Sequence, residues 1–149
     1  MILFRRTSSA DNDFRELVVL LDKDLALRDG DEHAFYAQFN KIQAIKNVIV
    51  CYEENQPVGC GAFKEFEPGK VEIKRMYVHP EQRGKGTGLA ILTQLENWAR
   101  ELGYTSCVLE TGKKQPEAIR LYKKAGYHIT ENYGQYASVE NSVCMRKEM

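Results

Sequence analysis

The chain has 149 residues, of which 43% are hydrophobic and 28% are charged, and its formal net charge at pH 7 is zero. This composition predicts one globular domain over residues 1–149 and excludes a disordered chain. The balanced charge gives no sign of a nucleic-acid or membrane partner. No apolar run approaches the roughly 20 residues that span a bilayer, and the apolar N-terminal stretch is too short for a secretory signal. We therefore expect a cytoplasmic protein.

The first third of the chain predicts a short strand followed by helices. The apolar stretch from Ile2 to Phe4 suits a strand. The next segment predicts an amphipathic helix that begins near Asp11 or Asp13, because apolar residues repeat at three- and four-residue spacing. These residues are Phe14, Leu17, Val18, Leu21 and Leu25. The helix should end at Asp29-Gly30-Asp31, and a second, weaker helix is predicted from about Glu32 to Phe39.

The middle of the chain predicts an antiparallel meander of three strands. β-Branched and aromatic residues dominate residues 48–52, 58–66 and 71–78. Turn-forming residues separate these runs. Beyond them, apolar spacing predicts a helix over residues 89–102 that is ended by Gly103.

The last third predicts three strands and one more helix. The strands are expected at 106–109, 127–130 and 142–145, and the helix runs from Pro116 to Ala125 with Gly126 as its C-terminal cap. The order β-α-α-β-β-β-α-β-α-β-β predicts an α/β fold, with a single mixed, mostly antiparallel sheet flanked by helices.

The segment after the meander carries the clearest functional signal. It reads Val78-His79-Pro80-Glu81-Gln82-Arg83-Gly84-Lys85-Gly86-Thr87-Gly88. Glycines at positions 84, 86 and 88 let the backbone turn tightly and approach a ligand closely. Unpaired N–H groups at the start of the next helix favour a phosphate, and Arg83 and Lys85 add positive charge.

Two common phosphate-binding motifs do not fit this segment. A dinucleotide-binding fold needs Gly-x-Gly-x-x-Gly directly after the first strand of a βαβ unit, whereas here the glycines alternate and three antiparallel strands precede them. A P-loop needs Gly-Lys-Ser/Thr, which Gly84-Lys85-Gly86 does not supply. The remaining alternative, glycines that only shape a turn, is disfavoured by three alternate glycines with two cations between strand and helix.

Two segments together resemble the GNAT superfamily of N-acetyltransferases. Arg83-x-x-Gly86-x-Gly88 resembles the family's pyrophosphate-binding motif, and Gln115 to Tyr122 followed by Gly126-Tyr127 is similar to its second segment. The resemblance covers about residues 48–130, with a matching order of elements. The C-terminal run from Asn132 to Tyr136, followed by Ser142-Val143-Cys144, further resembles a bacterial subgroup of small N-acetyltransferases.

The resemblance implies acetyl-CoA as co-substrate, without a metal. The strand residues Met76, Tyr77 and Val78 would pair their backbone with the pantetheine arm, and one N–H would polarise the acetyl carbonyl. The pyrophosphate would be held by Arg83, Gly84, Lys85, Gly86, Thr87 and Gly88. Gln115 stands where the family commonly has asparagine and can hydrogen-bond the pantetheine.

The resemblance also implies the catalytic residues. Tyr122 would be the general acid that protonates the departing thiolate, with a core tyrosine as the alternative. The general base would be Glu110, at the end of a predicted strand, or Glu72, on the strand leading to Val78; we favour Glu110. The alternative for Glu72 is a solvated surface carboxylate, and a bulge near Tyr77 would prevent strand alternation from deciding its direction.

The acceptor is predicted only as a class. We expect direct transfer to a primary amine of a small molecule or an amino acid; the alternatives are a protein terminus or lysine, and a non-catalytic acyl-CoA sensor. Tyr133, Tyr136 and the helices near residues 22–40 should shape the acceptor pocket. Similar proteins commonly form dimers through a sheet edge or a helix, so a homodimer is compatible with the sequence.

The cysteines and histidines carry no predicted chemistry. The four cysteines lie in strand-like stretches without a Cys-x-x-Cys pair, and the histidines do not cluster, so no metal site is predicted. We interpret the cysteines as buried free thiols, with a catalytic or redox cysteine as the alternative. They are Cys51, Cys60, Cys107 and Cys144.

Overall fold

The computed structural model describes residues 1–29 and 44–149. The predicted helix from Glu32 to Phe39 lies outside these residues. The elements are β1 (Ile2–Thr7), α1 (Asn12–Asp29), β2 (Asn47–Glu53), β3 (Gln56–Glu67), β4 (Lys70–Val78), α2 (Thr87–Glu101), β5 (Ser106–Gly112), α3 (Pro116–Lys124), β6 (His128–Thr130) and β7 (Ser142–Glu148). Single 3₁₀ turns occupy Pro80–Gln82 and Gly134–Tyr136. The predicted order of elements is confirmed over the described residues.

The seven strands form one mixed sheet in the order β1-β2-β3-β4-β5-β7-β6. Neighbouring strands run antiparallel, except that β4 and β5 run parallel. The predicted meander is therefore β2-β3-β4, and the α/β fold with a mostly antiparallel sheet is confirmed. The parallel pair β4–β5 lies at the centre of the sheet. The hydrogen-bond ladder between these two strands is interrupted.

The pairing of β4 with β5 stops early. Three residue pairs join the strands, and the last of them is Glu72 with Val108. β4 then continues to Val78 and β5 to Gly112 without further pairing to each other. The two strands therefore diverge and leave a gap that opens at their C-terminal ends.

A β-bulge changes the direction of side chains along β4. Cys60 and Ala62 of β3 pair with Tyr77 and Lys74, so Arg75 and Met76 together oppose the single residue Gly61. Arg75 adopts a left-handed conformation with φ of 59°, which costs an L-residue other than glycine about 1–2 kcal/mol. The bulge predicted near Tyr77 is thus confirmed.

Helices cover both faces of the sheet and form an apolar core on each face. The larger core packs α2 and α3 against the sheet through residues such as Ile91, Leu92 and Leu95. On the opposite face, α1 packs Leu17, Val18 and Leu21 against β2, β3 and β4. Full burial of one such side chain contributes roughly 1.5–3 kcal/mol.

The start of α1 is set by one capping interaction. The Oδ1 atom of Asp11 accepts a hydrogen bond of 3.0 Å from the backbone N–H of Phe14, as an N-cap residue does. Of the two predicted starting residues, Asp11 is therefore the cap. Asp13 lies inside the helix and accepts a hydrogen bond of 2.6 Å from the Tyr52 hydroxyl on β2.

Several strands extend beyond their predicted ends. β1 reaches Thr7 rather than Phe4, β5 reaches Gly112 rather than Leu109, and β7 reaches Glu148. The added residues are polar or small, but each pairs its backbone with a neighbouring strand. An apolar run marks only the buried part of a strand, because the hydrogen-bond ladder does not depend on side-chain polarity.

Candidate active site

The gap between β4 and β5 contains two adjoining pockets. The outer pocket, of about 360 Å³, lies between the 82–88 loop, α1 and α3. The inner pocket, of about 120 Å³, lies between α1, the middle of β4 and the end of β5. The residues that line both pockets are Leu21, Met76, Gln115, Ala118 and Tyr122. Two ligands that occupied the pockets would therefore meet beside Tyr122.

The glycines of the 82–88 loop serve different purposes. Gly84 and Gly86 have φ angles of 80° and 83°, and a Cβ atom on either would meet no neighbour within 4 Å. They are needed for the left-handed turn that leads directly into α2. Gly88 instead lets α2 approach α3, because a Cβ atom there would lie 3.2 Å from Leu121.

The N-terminus of α2 faces the outer pocket. Gly86 is the N-cap residue, and no side chain caps the helix. The first N–H groups of a helix lack intrahelical partners and carry partial positive charge. Since Gly86, Thr87 and Gly88 all line the outer pocket, this end of the pocket is suited to an anion.

Arg83 fastens the loop to the end of β4. Its Nε atom donates a hydrogen bond of 2.9 Å to the carbonyl of Val78, and its guanidinium carbon lies 5.6 Å from the centre of the Tyr77 ring. Its Nη2 atom lies 3.8 Å from the carboxylate of Asp24 on α1. The positive charge is thereby held at the rim of the outer pocket, together with Lys85, whose Nζ atom is 3.5 Å from Gln82.

An ion pair that sequence patterns did not predict joins α1 to α3 beside the outer pocket. Arg28 of α1 pairs with Glu117 of α3 and also with Asp24 one turn earlier in α1. All three residues line the outer pocket. Their separation along the chain leaves no local spacing that could have indicated the contact.

Glu72 lies inside the protein and not on its surface. It is 5% exposed, its Oε2 atom accepts a hydrogen bond of 2.8 Å from the Tyr133 hydroxyl, and its Oε1 atom lies 3.8 Å from Lys74 Nζ. The alternative of a solvated carboxylate was therefore wrong. The bulge lies beyond Glu72 on β4, so the direction of this side chain follows ordinary strand alternation from the β3 partner Lys64.

Tyr122 lies at the junction of the two pockets and is 7% exposed. Its ring packs edge-to-face on Tyr127, with centroids 6.0 Å apart. Burial raises the pKa of the phenol above its usual value, and the nearby Glu110 carboxylate raises it further. Tyr122 therefore keeps its proton at neutral pH, and it is both a core residue and a pocket residue.

Glu110 is half-buried on β5, opposite Cys144 of β7. It lies inside the strand and not at its end, because β5 continues to Gly112. The pKa values of Tyr122 and Tyr136 are raised mainly by burial of the phenols. The negative charge of Glu110 is the second cause in both. Glu110, Tyr122 and Tyr136 thus converge on the inner pocket.

The Acetyltransferase (GNAT) family model matches residues 14–127, which include β4, the glycine loop, α2, β5 and α3. This chain belongs to the GNAT family. It is thereby a member of a family of acyltransferase enzymes. The predicted family resemblance is confirmed.

Relatives agree with this placement in GNAT. The chain is 40% identical over 98 residues to an uncharacterized N-acetyltransferase of Schizosaccharomyces pombe; the match covers 65% of this chain and 60% of that protein's length. It is 30% identical over 151 residues to the IAA acetyltransferase of Azospirillum brasilense, covering 96% of this chain and 97% of that protein.

A solved structure shares the fold of this chain. A protein of Klebsiella pneumoniae, assigned as an acyl-CoA N-acyltransferase, superposes with a TM-score of 0.82 at 30% identity, covering 99% of this chain and 97% of that one. The α/β architecture of this GNAT chain is therefore shared over nearly its whole length.

Most of the residues predicted for the GNAT site come together around the gap. The loop residues Arg83, Gly84, Gly86, Thr87 and Gly88 line the outer pocket, as do the β4 residues Met76, Tyr77 and Val78. Glu72, Glu110 and Tyr136 line the inner pocket, and Gln115 and Tyr122 line both. Tyr133 contacts the inner pocket through Glu72. Lys85 is exposed and belongs to the loop without lining either pocket.

Two charged residues of the inner pocket were not predicted from the sequence. Lys74 and Arg75 are consecutive basic residues inside a largely buried strand. Burial lowers the pKa of Lys74, and the charge of Glu72 opposes that change. Charged residues in the middle of an apolar run are rare, and this was the signal that could have found them.

The four cysteines are buried free thiols, as predicted. Burial raises the pKa of Cys51, Cys107 and Cys144 to about 11 and that of Cys60 to about 12. At neutral pH they are protonated and weakly nucleophilic. Within residues 1–29 and 44–149, no group of three or more His, Cys, Asp or Glu side chains is placed to hold a metal ion, and no helix is both long and apolar enough to cross a membrane.

Proposed function

We propose that this GNAT protein transfers the acetyl group of acetyl-CoA directly to a primary amine of a small molecule. The observation that carries the proposal is the meeting of the two pockets at Tyr122, in the gap between β4 and β5. One pocket has an anion-binding end, and the other has a carboxylate close to that tyrosine. A donor and an acceptor that enter from opposite sides would bring their reacting groups together there.

The outer pocket suits coenzyme A from its pyrophosphate to its thiol. The N–H groups at the start of α2 and the loop cations would hold the pyrophosphate. Along Met76, Tyr77 and Val78, the edge of β4 that faces β5 has no strand partner among the described residues. Its backbone groups would bond the amides of the pantetheine arm as an added strand does. Gln115, at the N-cap of α3, would add a side-chain contact.

The proposed reaction needs no covalent intermediate on the protein. The amine nitrogen attacks the thioester carbon, and a β4 N–H stabilises the negative oxygen of the tetrahedral intermediate. Glu110 removes a proton from the amine, directly or through one water. The C–S bond breaks, the phenol of Tyr122 protonates the leaving thiolate, and the products are an N-substituted acetamide and coenzyme A.

Glu110 is better placed than Glu72 to act as the base. The Glu72 carboxylate accepts a hydrogen bond from the Tyr133 hydroxyl and faces the Lys74 ammonium, so both of its oxygens already have a neighbouring donor group. Glu110 is more exposed and influences the titration of Tyr122. The residue pair Glu110 and Tyr122 therefore supplies a base and an acid at one junction.

The small volume of the inner pocket, about 120 Å³, supports a small acceptor. A protein terminus or lysine, or binding of acyl-CoA without turnover, are the other candidate functions. We expect the protein to release thiol from acetyl-CoA in the presence of some members of a panel of small primary amines. Tight acetyl-CoA binding without turnover on amines or peptides would contradict the proposal, and turnover on peptides alone would assign a protein acceptor.

The loop assignment is tested by Gly86→Trp. The indole would block the backbone of α2's first turn, so we expect coenzyme A affinity to fall by roughly a hundredfold, as the loss of two charge-assisted hydrogen bonds predicts. The matched control is Gly103→Trp at the other end of α2. Gly103 also has a positive φ, 92°, and open space around its Cα. Calorimetry measures the coenzyme A affinity of both variants. Equal affinities of Gly86→Trp and Gly103→Trp would refute the loop assignment.

The acid assignment is tested by Tyr122→Phe. Removal of the hydroxyl should lower kcat by roughly a hundredfold, the lower range for general acid catalysis, while coenzyme A affinity changes little. Tyr104→Phe is the control, because its hydroxyl donates to Glu65 outside both pockets. Steady-state kinetics that give Tyr122→Phe the same kcat as the control would show that Tyr122 is not the acid.

The base assignment is tested by comparing Glu110→Gln with Glu72→Gln. Glutamine preserves size and accepts a hydrogen bond but is not a base. We expect Glu110→Gln to lower kcat by roughly a hundredfold or more, and Glu72→Gln to have a smaller effect because its amide oxygen still accepts from Tyr133. The reverse ranking in steady-state kinetics would assign the base to Glu72.

A further inference from the structure

The inner pocket contains two cations that the proposed acetyl transfer does not use. Lys74 and Arg75 both line it, beside Leu21 and Leu25 of α1. They are consecutive, and in a regular strand their side chains would point to opposite faces. The bulge removes this alternation: Lys74 pairs with Ala62 of the α1-side core, and Arg75 reaches Asp22 of α1.

Arg75 has unused hydrogen-bonding capacity. It is 7% exposed, and its Nη1 atom donates a hydrogen bond of 3.1 Å to Asp22. Its Nη2 atom is buried and has no hydrogen-bond partner among residues 1–29 and 44–149. A buried charged donor without a partner is costly, and such groups in native proteins are normally satisfied by a side chain, water or ligand.

Lys74 is in a similar position. Its side chain is 11% exposed, and the nearest carboxylate oxygen, Glu72 Oε1, lies 3.8 Å away, beyond hydrogen-bond range. The side chain of Lys74 forms no hydrogen bond within the described parts of the chain. The buried Nη2 atom of Arg75 and the ammonium group of Lys74, which is ion-paired with Glu72, thus lie on one face of β4 and line the same pocket.

Apart from the Glu72 carboxylate, which is paired with Tyr133 and Lys74, the charged side chains that line the inner pocket form a negative pole and a positive pole. Glu110 lies by Tyr122, where the amine must reach the thioester, and its carboxylate suits an ammonium group before deprotonation. Lys74 and Arg75 lie along β4 on the side of α1. An acceptor with an amine at one end and an anion at the other would match both poles.

We propose that the acceptor is an amino acid whose carboxylate binds Arg75 Nη2 and Lys74 Nζ while its amine faces Glu110. The inference rests on the proposed acetyl transfer for the role of the amine, and on Lys74 and Arg75 for the carboxylate. A carboxylate accepts from both donors at once, and charge-assisted hydrogen bonds of this kind are the strong ones. Asp22 keeps the Arg75 guanidinium in place by holding Nη1.

The experiment compares acceptors that differ only at the carboxylate. A set of amino acids, their amides and the corresponding decarboxylated amines is assayed with acetyl-CoA. We expect kcat/KM for the acids to exceed that for the amides by roughly tenfold to a hundredfold, from one or two hydrogen bonds to a charged group. If the wild-type protein has nearly equal kcat/KM values for the acids and their amides, the inference is overturned irrespective of the results with the variants.

Variants assign the preference to Arg75. Arg75→Asn should bring the acid-to-amide ratio close to one, and Arg75→Lys should restore part of it. Asparagine tolerates the left-handed backbone better than most residues, and the coenzyme A affinity of each variant reports its folding. Arg100→Asn, on the exposed side of α2, is the control and should keep the wild-type ratio. An unchanged acid-to-amide ratio in Arg75→Asn would overturn the assignment of the preference to Arg75. The variant Lys74→Met tests the contribution of Lys74 by the same ratio.

A binding measurement separates this inference from the proposed function. Calorimetry on the protein loaded with coenzyme A compares the affinity of each amino acid with that of its amide, without turnover. Preferential binding of the acids without acetylation of any amine would support the carboxylate site and refute the acetyl transfer. Acetylation of acids and amides alike, with equal affinities, would support the transfer and refute the carboxylate site.

Discussion

The early end of the β4–β5 ladder is the constraint on which the rest of the site depends. Two parallel strands would ordinarily continue to pair, since every unpaired backbone group that is buried costs free energy. Here the pairing ends at Glu72 and Val108, and α3 contributes Ala118 and Tyr122 to the gap. The exposed edge of β4 is thereby a template for an extended ligand with amide groups. The same opening connects the two faces of the sheet, so that a donor and an acceptor can meet.

The position of α2 beside the free edge of β4 follows from the chain's connectivity. Residues 79–86 connect the end of β4 to the start of α2, and the left-handed Gly84 and Gly86 turn the chain into the helix. The free strand edge and the helix N-terminus are therefore adjacent. A single ligand with an extended arm and an anionic group, such as the proposed coenzyme A, would span both.

The buried charged groups of the inner pocket differ in how fully their hydrogen-bonding capacity is used. Glu72 has a hydrogen bond from Tyr133 and a nearby ammonium group. Within the part of the chain that the structure describes, Arg75 has a partner for one of its terminal nitrogens and none for the other. Buried charges normally persist only when they are paired. The strained backbone of Arg75 adds a further cost, and strain of this kind clusters at functional sites. A ligand carboxylate would account for both.

Local features could be predicted from the sequence alone. Apolar spacing located α1 and α2, Pro116 and Gly126 marked the ends of α3, and turn residues separated the meander strands, because each of these signals depends on a few neighbouring residues. The pattern did not locate the polar ends of β1, β5 and β7, which long-range backbone pairing stabilises. It also left the environment of Glu72 open and missed Lys74 and Arg75. Only the tertiary structure decided the placement of these three side chains. A single-residue bulge in β4 brings Lys74 and Arg75 to one face, and Tyr133 reaches Glu72 from a distant part of the chain.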